Sequence, residues 1–190
     1  MRETARVGGR AIRASAGHDW RVSTGYRLVT DGACSANGTD RARGGWAAIL
    51  TAPDGTEQVL TGGERGTTNN RMELTAAIEG LAAAPEGAEV ELVTDSAYVA
   101  NAIKERWFDG WRRRSWRNSQ RQPVANRDLW ELLIEELESH SVTPTLVKGH
   151  AGHPENERAD KLAQEAAVDP PDGPARRPAG EEQLGFSLFD

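Results

Sequence analysis

Two aspartates close similar stretches of the sequence. The tetrapeptide Leu-Val-Thr-Asp occurs at residues 28–31 and again at residues 92–95. Each copy completes an apolar run that predicts a strand, so Asp31 and Asp95 are expected at strand ends. If these strands are parallel neighbours, both carboxylates leave the sheet at one edge, where open α/β sheets bind ligands. The structural alternative is that Asp31 opens a turn and Asp95 caps a helix.

Two more carboxylates lie on predicted helices. Glu73 shares a helix face with Ala76, Ala77 and Gly80, because these residues follow it at spacings of three, four and seven. Small residues on that face let the helix lie close to a sheet with Glu73 at the rim. Asp160 borders the apolar stripe of a later helix, and a carboxylate in that position needs a partner.

Four converging carboxylates repel one another unless cations neutralise them. Hard oxygen ligands without a Cys/His cluster favour Mg²⁺ or Mn²⁺ over zinc. Two such ions about 3.5–4 Å apart would activate a water and stabilise the leaving oxygen of a phosphodiester. His150, in a glycine-flanked loop near Asp160, is a candidate proton carrier, whereas His153, beside Pro154, has a structural interpretation.

The elements that must position these residues follow from hydrophobic periodicity and turn signals. They predict an α/β fold with a five-stranded mixed sheet, in which strands 1–3 form an antiparallel meander and later strands are parallel, flanked by helices. The predicted strands are residues 26–30, 45–51, 57–61, 89–94 and 142–148, and the predicted helices are residues 68–84, 96–106, 126–139 and one beginning near 154.

Composition limits the class of protein. The chain has 190 residues and one cysteine, Cys34, which excludes an internal disulfide and indicates a cytoplasmic protein. No apolar run reaches the roughly 18 residues that span a bilayer, so no membrane partner is expected. The predicted organisation is a flexible basic tail over 1–24, a folded domain over 25–168, and a Pro/Gly-rich linker with an apolar tip over 169–190.

The charge is unevenly distributed. The net charge is −6, yet residues 104–127 carry +6 and three of the six tryptophans. Arginine forks pair with phosphates and indole rings stack on sugars or bases, so this basic arm predicts a polyanionic ligand. The alternative is a solvated helix whose tryptophans, Trp107 and Trp111 above all, pack on the core.

Together these motifs resemble bacterial type 1 ribonuclease H. The resemblance covers about residues 25–168 and rests on Asp31-Gly32, residues 68–74, residues 94–96 and the long motif at 149–160. It implies the ribonuclease H-like fold with a basic protrusion, and endonucleolytic cleavage of the RNA strand of RNA–DNA hybrids with two Mg²⁺ ions, leaving 5′-phosphate and 3′-hydroxyl ends. It also implies that Asp31, Glu73, Asp95 and Asp160 bind the metal ions and that His150 is a catalytic histidine.

The resemblance further implies substrate contacts. The arm would grip the DNA strand through Trp107, Trp111, Arg112, Arg113, Arg114 and Trp116, a DNA phosphate would bind Thr68 and Asn126, and the hybrid would contact Cys34, Asn37, Asn69 and Asn70. Recognition of the 2′-hydroxyl lets such a site distinguish RNA from DNA. Two features depart from the family. Ala97 stands where many relatives carry a glutamine, and the loop 35–44, which holds Asn37, is longer than usual.

Other functions leave different signatures. A proofreading exonuclease would show Asp-x-Glu in the first strand, where Gly32 and Ala33 follow Asp31. A non-catalytic hybrid-binding module would tolerate loss of a carboxylate, and a general polyanion binder would not explain the acidic residues. We expect a monomer that removes primers and R-loops. The tip at 183–189 resembles sliding-clamp-binding peptides, with an incidental apolar tail as the alternative.

Overall fold

The structure is a computed structural model that describes residues 25–149 and 153–171. Predictions for residues 1–24, for His150 and for the apolar tip lie outside the described residues. Five strands form one sheet in the described part of the chain. They are β1 Tyr26–Ser35, β2 Arg43–Thr51, β3 Glu57–Arg65, β4 Glu89–Thr94 and β5 Ser141–Leu146.

The sheet is mixed, with the spatial order β3-β2-β1-β4-β5. β1 pairs antiparallel with β2 and β2 antiparallel with β3, which is the predicted meander. β1 pairs parallel with β4, and β4 parallel with β5. The predicted fold class is therefore confirmed.

Five helices accompany the sheet in the described ranges. They are α1 Asn69–Ala82, α2 Ala97–Lys104, α3 Trp107–Arg113, α4 Arg127–Ser139 and α5 Pro154–Ala166. Local chemistry fixes three of their starts: the side chains of Thr68 and Ser96 accept backbone N–H bonds at α1 and α2, and Pro154 occupies the first turn of α5. No helix among the described residues is long and apolar enough to cross a membrane.

The two faces of the sheet are covered by different helices. On one face Leu28 and Leu92 belong to the main core, together with Ile78 of α1 and Trp130 of α4. On the other face Val29, Ile49 and Val93 pack against Ala159 of α5. Because strand side chains alternate between faces, Asp31 lies on the same face of β1 as Val29, toward α5.

Several predicted boundaries are wrong. β3 was predicted to end at residue 61 but continues to Arg65, because residues 62–65 remain paired with β2. β1 does not end before Asp31 but continues to Ser35, because residues 31–35 remain paired with β2 after the pairing with β4 has stopped. The helix predicted over 96–106 is shorter than expected: α2 ends at Lys104, and Arg106 adopts a left-handed conformation, with φ +50°, before α3 begins.

Candidate active site

The parallel register brings Asp31 and Asp95 side by side. Thr30 of β1 is opposite Thr94, the last residue of β4. Asp31 directly follows Thr30 and Asp95 directly follows Thr94, so the two aspartates are neighbours. Neighbouring strands lie about 4.8 Å apart, which places both carboxylates at one edge of the sheet. Asp31 is only 6% exposed, and its Oδ1 accepts a hydrogen bond from the Gly32 N–H at 2.6 Å.

Close approach of α1 to β1 brings Glu73 to the same edge. A Cβ on Gly32 would lie 2.4 Å from the Glu73 backbone nitrogen, so only glycine allows this contact. Both oxygens of the Glu73 carboxylate are held: Oε1 accepts from Asn69 Nδ2 at 2.7 Å, and Oε2 accepts from the buried Ser96 hydroxyl. Glu73 is therefore fixed by a side chain one turn earlier and by the cap of α2.

Asp160 comes from α5, on the other side of the sheet edge. Its Oδ1 accepts a hydrogen bond from Gln164 Nε2 at 2.6 Å. Asn156 lies one turn earlier and donates from Nδ2 to Asp95 Oδ2 at 3.4 Å, while a Cβ on Gly149 would lie 2.6 Å from that same oxygen. The Asp95 carboxylate therefore sits between α5 and the backbone that follows β5.

The four carboxylates share one electrostatic field. Burial raises the pKa of Asp31 to about 7, and the negative charges of Asp95, Asp160 and Glu73 add to that rise against the Gly32 hydrogen bond. Burial likewise raises the pKa of Glu73, with Asp95 adding to the effect and with Ser96 and Asn69 opposing it. The charges of the other three carboxylates therefore act on Asp31, which shows that the four side chains lie near one another.

This site fits a hard cation. Its donors are carboxylate oxygens, and the raised pKa of Asp31 means that positive charge would stabilise the ionised form. Among residues 25–149 and 153–171 no group of three His, Cys, Asp or Glu side chains is placed to hold a metal ion by itself. A cation at this edge of the sheet would therefore need further ligands, such as water or substrate oxygens, beside these carboxylates.

A cleft of about 660 Å³ opens beside Asp160. Cys34, Asn69 and Gln164 contribute to its lining. Asn37 lies beside this cleft, because its Oδ1 accepts a hydrogen bond of 2.8 Å from the backbone N–H of Asn69. Asn70, the next residue of α1, is exposed. Of the residues predicted to contact the hybrid, Cys34 and Asn69 therefore line the cleft beside Asp160, and Asn37 contacts Asn69.

The two predicted phosphate contacts stand at helix starts. Thr68 precedes α1, and Asn126 precedes α4 in a left-handed conformation with φ +56°. Arg71 of α1 binds Asp128 of α4 through two hydrogen bonds of 3.0 and 3.2 Å, which joins these helix starts. Helix N-termini present free N–H groups and a positive dipole to an anion.

The basic arm divides into a packed part and an exposed part. Trp111 is 7% exposed, and its ring lies 5.1 Å from Trp130, as the packing alternative expected. Trp107 and Trp116 are half-buried against the same core. The arginines are exposed: Arg112 pairs with Glu138, Arg114 donates to the Arg117 carbonyl, and Arg113 borders a shallow cleft with Trp107.

Sequence reasoning did not assign a role at the site to Ser96, Gln164, Gly149 or Asn156. The structural alternative gave the helix cap to Asp95, whereas in the structure Ser96, the residue directly after it, caps α2. Gln164 and Asn156 lie four residues after and before Asp160 on α5, so helical spacing alone places them on its face. The contact of Gln164 with Asp160 follows from that spacing, whereas the contact of Asn156 with Asp95 depends on tertiary packing.

Comparison with known proteins identifies the family. The family model described as RNase H matches residues 24–168. A Ribonuclease H of Thermus thermophilus is 54% identical over 140 residues, which are 74% of this chain and 82% of that protein. A Ribonuclease H of Chelativorans sp. strain BNC1 is 55% identical over 137 residues, covering 72% and 82% of the two chains.

A solved structure agrees. The crystal structure of LC9-RNase H1, described as a type 1 RNase H with the type 2 active-site motif, superposes with a TM-score of 0.66 at 30% identity. The match covers 75% of this chain and 71% of that one. Because the family model and these relatives each match most of the chain, this chain belongs to the ribonuclease H family and is an enzyme with the ribonuclease H-like fold.

Proposed function

We propose that this enzyme hydrolyses the RNA strand of RNA–DNA hybrids endonucleolytically, leaving 5′-phosphate and 3′-hydroxyl ends. The observation that carries the proposal is the meeting of Asp31, Glu73, Asp95 and Asp160 in one negative field, with the pKa of Asp31 raised to about 7. Membership of the ribonuclease H family supports the substrate class. Removal of primers and R-loops would follow from that activity.

Asp31, Glu73, Asp95 and Asp160 would hold two Mg²⁺ ions, with Mn²⁺ as a substitute. When bound, the ions neutralise the carboxylates, activate the attacking water and stabilise the leaving oxygen. The protein keeps the ligands in position beforehand. Asn69 and Ser96 hold Glu73, and Gln164 holds Asp160, so little reorganisation is needed when the site fills. His150, outside the described residues, is proposed to carry a proton.

The surroundings of the carboxylates suit a hybrid duplex. The RNA strand would lie along the cleft bordered by Cys34, Asn37, Asn69 and Asn70, where amide groups meet base edges and 2′-hydroxyls. The DNA strand would run from the helix starts at Thr68 and Asn126 toward the arm. Arg113 and Arg114 can meet phosphates there, because both residues are exposed.

Cleavage of an end-labelled RNA–DNA hybrid beside RNA–RNA and DNA–DNA duplexes tests the proposal. We expect cuts only in the RNA of the hybrid, only with Mg²⁺ or Mn²⁺, and none with Asp31→Asn. Arg158→Gln is the matched control for handling and purity, because Arg158 pairs with Glu57 at an exposed surface. Equal cleavage of the RNA–RNA duplex, or full activity in excess chelator, would contradict the proposal.

A further inference from the structure

One polar side chain at the site has unused bonding capacity. Asn156 is 3% exposed, and its Oδ1 is the buried side-chain oxygen that lacks a hydrogen-bond partner among the residues the structure describes. Its Nδ2 faces Asp95 Oδ2 at 3.4 Å. The residue therefore contacts a proposed metal ligand with one end of its amide and leaves the other end unsatisfied.

The orientation of the amide follows from the chemistry of its neighbour. An ionised carboxylate only accepts hydrogen bonds, so the NH₂ group must face Asp95 and the carbonyl must face away. Burying an amide carbonyl without a donor is unfavourable, and nearly all such groups in native proteins find one. The environment of Asn156 thus calls for an O–H or N–H donor beside Asp95.

We propose that Asn156 is a positioning residue that holds Asp95 through its NH₂ group and, through Oδ1, accepts a hydrogen bond from a water that hydrates the divalent cation. This inference rests on the proposed function. Water suits the place, because the neighbouring groups are polar and the Asp95 carboxylate, beside Asn156, accepts hydrogen bonds from water. Asn156 would act as a buried bridge between α5, Asp95 and the hydration layer of the ion.

Two variants separate the two ends of the amide. Asn156→Ala removes both the donor and the acceptor. Asn156→Asp keeps the size and an acceptor oxygen but replaces the donor with a charge that repels Asp95. Glu157→Ala is the matched control, because Glu157 is the exposed neighbour on the same turn of α5. The readouts are Mg²⁺ affinity of the hybrid-free protein by titration calorimetry, then kcat and KM on the hybrid.

For Asn156→Ala we expect Mg²⁺ affinity and kcat each to fall about 10- to 100-fold, the usual cost of losing a group that orients metal ligands. KM for the hybrid should stay within about twofold of the wild-type value, since the substitution leaves the contacts that bind the substrate in its ground state unchanged. For Asn156→Asp we expect Mg²⁺ affinity at least equal to wild type, because a negative charge is added, with kcat still reduced because Asp95 is displaced.

Suppose that the wild-type protein binds Mg²⁺ and cleaves the hybrid, and that Asn156→Ala has the same Mg²⁺ affinity and kcat as the control. That result would overturn this inference but not the proposed function. A loss of thermal stability with normal affinity and kcat would overturn it too, because it would indicate packing only. If the wild-type protein neither binds Mg²⁺ nor cleaves the hybrid, the proposed function itself fails.

Discussion

The sharpest consequence of the carboxylate site is that metal-free protein should gain stability when Asp31 loses its charge. Asp31 has an ordinary pKa of 3.8 and a pKa of about 7 in the folded protein. The folded state therefore binds a proton more tightly than the unfolded state. Stability of the wild-type protein must then fall as pH rises from about 4 to about 7, where the folded protein is forced to ionise Asp31.

The size of the effect follows from the shift. The pKa of Asp31 differs by about three between the folded and unfolded states. At a pH above both pKa values this difference destabilises the folded protein by about 4 kcal/mol, because one pKa unit corresponds to 1.36 kcal/mol. Asp31→Asn keeps the shape and the Gly32 hydrogen bond but has no charge to desolvate. Relative to wild type, we expect it to gain about 2–3 kcal/mol of unfolding free energy between about pH 5 and about pH 8.

Urea unfolding of both proteins at the two pH values in excess chelator measures this difference. Saturating Mg²⁺ at the higher pH should stabilise wild type more than Asp31→Asn, because a cation binds the ionised folded site and not the unfolded chain. Asp54→Asn is the matched control, since Asp54 is an exposed turn residue whose side chain makes the same change from carboxylate to amide. An Asp31→Asn advantage that does not change with pH would refute the reasoning.

Three further predictions concern single contacts. Gly32→Ala would place its Cβ 2.4 Å from the Glu73 backbone nitrogen, so we expect a loss of about 1–3 kcal/mol in unfolding free energy together with weaker cleavage; wild-type stability would contradict this. In Gly149→Ala the three described atoms nearest the new Cβ belong to the Asp95 side chain, which can shift, so kcat should fall about tenfold while the free energy of urea unfolding changes by less than about 1 kcal/mol. The double variant Arg113→Gln, Arg114→Gln should reduce the slope of log hybrid affinity against log salt concentration by the equivalent of about one to two phosphate contacts, whereas Arg158→Gln should not. Equal slopes for the double variant and the wild type would show that these arginines do not contact DNA phosphates.

The sheet was predictable because its signals are local. The repeated Leu-Val-Thr-Asp stretches marked β1 and β4, and the parallel register confirms that Asp31 and Asp95 are neighbours. The end of β1 was not predictable, because residues 31–35 owe their extended conformation to pairing with β2, a contact distant in sequence. The break at Arg106 depends on a single left-handed residue that no glycine or proline announces.

The candidate site was predictable as far as residue type and helical spacing reach. Glu73 and Asp160 border small or apolar helix faces, and these faces do pack toward the sheet. The contacts that reach the carboxylates from other elements were not predictable, unlike those of Asn69 and Gln164, which lie one helical turn from Glu73 and Asp160. Ser96, the cap of α2, donates a hydrogen bond to Glu73 of α1. Asn156 lies beside Asp95 because of the way α5 packs on the sheet.

The proposed function requires that Asp31, Glu73, Asp95 and Asp160 together bind divalent cations over the scissile phosphate. Anomalous diffraction from crystals of Asp95→Asn protein with a hybrid and Mn²⁺ would locate these ions, since that variant should bind substrate without cutting it. We expect Mn²⁺ peaks within about 2.5 Å of carboxylate oxygens of Asp31, Glu73 and Asp160. Peaks only elsewhere on the protein, with the hybrid bound and Mn²⁺ saturating, would contradict it.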